Sequence, residues 1–76
     1  MVKNVTLCRN PVKNKHFFIK GLSNFKSVKN YISDLIGINR QNILFVSEIN
    51  LKEKTFEFKL VCSTDEQIQR ILNCLN

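Results

Sequence analysis

Few side chains in this sequence are of a type that could carry chemistry. His16 is the only histidine, and the three cysteines are Cys8, Cys62 and Cys74. A histidine general base needs a nucleophile and an orienting partner. A zinc site usually needs a close Cys or His pair. His16 has no such partner at a fixed spacing, and no two cysteines are near neighbours, so neither catalysis nor a metal is expected. Gly21 and Gly37 are isolated and cannot form a phosphate-cradling loop. No cofactor follows from these residues. On this reading His16 is an exposed histidine on a basic strand, Cys62 and Cys74 are small buried residues, and Glu53 and Glu57 belong to a solvated strand face among Lys52, Lys54 and Lys59.

Charge is more informative. Lys3, Arg9, Lys13, Lys15, Lys20, Lys26 and Lys29 all precede the first acid, Asp34. After residue 33, five cations stand against six acids, and the formal net charge of the whole chain is +6. A field this uneven attracts polyanions, of which nucleic acid is one. No apolar run approaches the length of a membrane span or of a secretory leader. Three widely spaced cysteines do not suggest a disulfide framework, so an intracellular, reducing setting (cytoplasmic or nuclear) is expected.

The elements that position these residues can be read from periodicity. The chain's 76 residues suffice for a single domain. Val2 to Cys8 alternates as a strand with Val5 and Leu7 inward, and the stretch around Pro11 reads as a loop. His16 to Lys20 is a second strand, ended by Gly21. Ser23 can cap a helix whose apolar residues Phe25, Val28, Ile32, Leu35 and Ile36 share one face, with Gly37 as its stop. Ile43 to Ile49 and Thr55 to Cys62 read as strands joined by a polar hairpin connection. Ser63 or Thr64 can open a capping box for a last helix with the stripe Ile68, Ile71, Leu72 and Leu75.

The order ββαββα predicts an α+β fold of the ferredoxin-like, two-layer kind, with an antiparallel sheet carrying two helices on one face. The N-terminal strand is expected to lie beside His16 to Lys20, replacing the usual fourth strand.

Phe17-Phe18-Ile19-Lys20-Gly21-Leu22 resembles the first-strand hexapeptide of RNA recognition motif (RRM) domains. The resemblance implies that Phe18 stacks on a base. Lys54-Thr55-Phe56-Glu57-Phe58 resembles the third-strand octapeptide of the same family at its basic residue and two aromatics. Alternation favours a different role for those aromatics. Phe56, Phe58 and Leu60 form a continuous apolar row, whereas Glu57 and Lys59 could not sit unpaired in a core without a cost of several kcal/mol. The row is therefore expected beneath the helices, with Thr55, Glu57, Lys59 and Val61 on the open face.

Ile19 to Phe25, Phe58-Lys59-Leu60 and the helix from Thr64 to Leu75 also resemble the domain that precedes zinc knuckles in Gag-like proteins of insect retroelements. Both resemblances imply nucleic-acid binding or assembly. The leading expectation is a module that binds single-stranded nucleic acid, RNA above all, through Lys3, Arg9, Lys13, Lys15, His16 and Lys20, with Phe18 as the stacking residue. The alternative is a protein partner or a homodimer, docked on the sheet face or edge through Leu44, Val46, Thr55 and Glu57.

Overall fold

The computed structural model describes residues 4–50 and 52–75. Val2 and Lys3, both assigned to the first strand on sequence grounds, lie outside the described residues. The elements are β1 (Thr6–Arg9), β2 (His16–Lys20), α1 (Phe25–Ile36), a short 3-10 turn (Arg40–Asn42), β3 (Ile43–Asn50), β4 (Thr55–Leu60) and α2 (Asp65–Leu72). The four strands form one antiparallel sheet in the order β1-β2-β4-β3, so the domain is α+β, with β1 on the far side of β2 from β4.

Alternation decides the layering. The ladder aligns Leu7 with Ile19 and Ile19 with Phe56, while Phe17 pairs with Phe58. These residues, with Leu60 and Ile43, make the apolar side of the sheet. Val28, Ile32 and Ile36 from α1 and Ile71 from α2 join the same core, all fully buried. Phe17 stacks on Phe58 at 5.7 Å between ring centroids. Phe56 and Phe58 are thus core residues, as alternation predicts.

Helix ends account for several boundaries. α1 is capped by Asn24 rather than Ser23: Asn24 is in the extended region and its side chain accepts from the Ser27 amide at 2.9 Å. Ser23 lies one residue outside and uses its carbonyl to accept from Lys54 Nζ at 3.2 Å. Gly37, in the left-handed region at φ 72°, ends the helix and donates its N–H to the Ser33 carbonyl. Thr64 and Gln67 close a reciprocal capping box at the start of α2. Gly21 has φ +110°, and a Cβ there would collide with the Asn4 carbonyl, which explains why a glycine follows β2.

β4 stops two residues before the expected Cys62. The Val61 amide still donates to the Asn42 carbonyl, one step beyond the Ile43–Leu60 pair, and the chain then turns away at Cys62, which adopts φ 52°. Cys62 is consequently exposed, and so is Cys74 beyond the end of α2; neither is the buried residue that the apolar pattern suggests.

Phe58 is fully buried at the centre of this core, so Phe58→Ala should lower unfolding free energy by about 3–5 kcal/mol in urea denaturation. For a domain this small, that loss leaves a largely unfolded chain.

Candidate functional site

Both helices join the core on the apolar side of the sheet; on the other side the described side chains form three rows set by the register. Thr6, Lys20, Thr55 and Asn50 make one row, Cys8, Phe18, Glu57 and Ser47 the next, and His16, Lys59 and Leu44 the third. Phe18 is half-buried there. With Thr6, Cys8, Lys20, Glu53 and Thr55 it lines a shallow depression of about 200 Å³.

Glu57 sits in the middle of this face and is only 8% exposed. A carboxylate so placed needs hydrogen-bond donors. Its Oε2 accepts from His16 Nδ1 at 2.8 Å and from Asn10 Nδ2 at 3.3 Å. The sequence-based expectation of an exposed His16 and a solvated Glu57 is therefore corrected on both counts. Glu57 is no longer available as a docking residue, because the β1–β2 loop covers it and the histidine that precedes Phe17 holds it.

Asn10 also organises that loop. Its Oδ1 accepts from the amides of Val12 at 2.9 Å and Lys13 at 3.1 Å, and its own N–H donates to the His16 carbonyl at 2.9 Å. Lys15 takes φ 64°, a left-handed conformation uncommon for a residue with a Cβ, and its carbonyl accepts from Leu60 N–H at 3.0 Å. These bonds set Lys13 and Lys15 at the end of the sheet where His16 and Lys59 are paired.

The acids nearest this surface are already engaged. Glu57 is bonded to His16 and Asn10, and Glu53 forms an ion pair with Lys20 at 3.6 Å. Arg9, Lys13, Lys15 and Lys59 are exposed and have no ion-pair partner among the described residues. Excess positive charge is thus displayed around the loop.

Of the residues singled out from sequence, His16, Phe18, Lys20, Thr55 and Glu57 do share the open face, and Lys13 and Lys15 flank it. Arg9 pairs with Phe17 and so has the parity of the core side, at the exposed end of β1. Lys3 lies outside the described residues. Leu44 is exposed on the same open face, in the row of His16 and Lys59, and Val46 is exposed on β3 at a register shift. Asn10, Glu53 and Lys59 belong to the site as well; the sequence pattern puts Glu53 and Lys59 on a solvated strand face but gives none of the three a binding role. An asparagine just before a proline is a recognisable turn former, whereas the union of His16 with Glu57, 41 residues apart, depends on sheet register.

Among the described residues no three His, Cys, Asp or Glu side chains converge as a metal site, and no helix is long and apolar enough to cross a membrane. Comparison with known proteins returns no matching family model, no matching curated protein and no matching solved structure.

Removing the Glu57 acceptor strands two part-buried donors. Glu57→Ala should cost about 1–3 kcal/mol of stability and accelerate hydrogen exchange at the Val12 and Lys13 amides. Lys20→Ala, which breaks only an exposed pair, should change stability by less than about 1 kcal/mol in the same urea titration.

Proposed function

We propose that this chain is a non-enzymatic module that binds single-stranded nucleic acid, RNA in particular, through the β1–β2 loop and the adjoining open face. The observation that carries this reading is the charge pairing around the loop. The local acids Glu57 and Glu53 are occupied by His16, Asn10 and Lys20, while Arg9, Lys13, Lys15 and Lys59 have no acidic partner among the described residues. A phosphate backbone carries condensed cations, and side-chain cations that have no counter-charge of their own release them when they take their place at the phosphates.

Among the described residues, Phe18 supplies the aromatic surface on the open face near these cations, since Phe56 and Phe58 are committed to the core. One stacking residue with phosphate contacts around it supports affinity more than sequence discrimination. Reading the sheet as a ferredoxin-like, RRM-like plan with β1 in place of the fourth strand agrees with this use of the face, and is part of the proposal. An intracellular site of action fits three free cysteines.

Four phosphate contacts on a single strand predict that log affinity falls against log salt with a slope of roughly −3. Fluorescence anisotropy with a short uridine-rich RNA measures this directly. Lys13→Glu with Lys15→Glu should bring the slope to roughly −1.5 and weaken binding by about tenfold or more. Phe18→Ala should cost about 1–3 kcal/mol with the slope unchanged. Binding that ignores salt and the double charge reversal would refute the reading.

A further inference from the structure

β3 is the second edge of the sheet, and it is an unusual edge. It is the longest strand, it pairs only with β4 among the described residues, and Ile43–Asn50 contains no lysine, arginine or proline, so what blunts it as an edge is limited to Glu48 and two register irregularities. Leu44, Phe45, Val46 and Ile49 are exposed along it, Phe45 and Ile49 by 54% each. By contrast β1, the other edge, has four residues and ends in Arg9. Register shifts at Phe45/Ser47 and Glu48/Asn50 interrupt the ladder to β4, so a partner on this edge gains more from side chains than from a long run of backbone bonds.

We infer that β3 is a self-association surface, on which the β3 edge of a second copy of this chain packs antiparallel about a two-fold axis. Charge identifies the occupant. Each copy carries +6, so approach through the basic loop is repulsive, whereas β3 bears a single charge, Glu48. Glu48 and Phe45 both point to the helix side of the sheet, because their register partners are Phe56 and Phe58. Phe45 meets Phe25 of α1 edge-on at 5.2 Å, and Lys29 Nζ lies 6.0 Å from the centre of the Phe25 ring. Neither Glu48 nor Lys29 has an ion-pair partner among the described residues.

A two-fold interface is self-complementary, so any contact is made twice. In the antiparallel register that sets Phe45 opposite Glu48 of the second copy, Leu44 falls opposite Ile49, and Val46 lies beside the axis. Two apolar pairs are formed. Each Glu48 is then brought to the Phe45–Phe25 cluster of the other copy, with Lys29 next to it as counter-charge. The same arrangement leaves the β1–β2 loops at the outer ends of a joined sheet, with both open faces on one side. Two loops on one particle would engage a long polyanion together, at an effective concentration set by their fixed spacing.

Sedimentation equilibrium of the full chain without nucleic acid, from micromolar to near-millimolar concentration, tests the surface independently of the proposed ligand. A reversible monomer–dimer equilibrium is expected. Val46→Lys with Ile49→Lys should abolish it while circular dichroism stays native, since both residues are exposed. Glu48→Lys and Lys29→Glu should each weaken the dimer by about tenfold, and the two reversals combined in one chain should restore it. A monomer throughout the range would overturn the inference. So would a dimer indifferent to the β3 substitutions, or a combined charge reversal that restores nothing.

Discussion

The alternation of β4 is the constraint on which the rest of the domain depends. This strand is paired on both sides, so its parity sets the facing of β2 directly and of β1 through β2. Phe56, Phe58 and Leu60 point into the core, and their neighbours Glu57 and Lys59 point away. A slip by one residue would carry both charges beneath the helices and three large apolar side chains into water. The side chains clustered on the core side are Val, Ile, Leu and Phe, which offer a buried charge no partner. The register is therefore strongly specified.

A second consequence follows from the same parity. It places Glu57 on a central strand under the β1–β2 loop, where water reaches it poorly. The carboxylate then needs His16 from the adjacent strand and Asn10 from the loop. Asn10 in turn gathers the amides of Val12 and Lys13, which gives a loop rich in cations a defined path. One buried acid thus ties the basic loop to the sheet, and because it is engaged by His16 and Asn10 it pairs with none of the loop lysines among the described residues. Core alternation and surface charge are linked through this residue.

Local signals made much of the fold legible. β2 and the Thr64 cap follow from periodicity and composition at their own positions, as does the Gly37 stop, and the Phe56–Phe58–Leu60 row could be assigned to the core because Glu57 and Lys59 exclude the opposite facing. The misses have tertiary causes. Ser23 and Asn24 are both competent caps; Asn24 takes the extended conformation and the Ser27 amide, while the Ser23 carbonyl accepts from Lys54 on another hairpin. Cys62 continues the apolar row in sequence, yet its backbone turns into the left-handed region at φ 52° and the strand ends before it. The His16–Glu57 pair is invisible to spacing rules, because neither residue's local pattern contains the other.

The proposed interface rests on charge held at the loop end of the open face, rather than on basic charge spread evenly over the domain. Lys26 and Lys29 on α1 contribute to the net charge equally with Lys13 and Lys15, so composition alone cannot separate these surfaces. Chemical-shift mapping by NMR does so residue by residue, using an unlabelled short RNA at low salt. The account predicts the largest amide shifts at Lys13, Lys15, His16, Phe18 and Lys59, with Lys26 and Asn30 unmoved. Shifts centred on α1, or none at low salt, would contradict it.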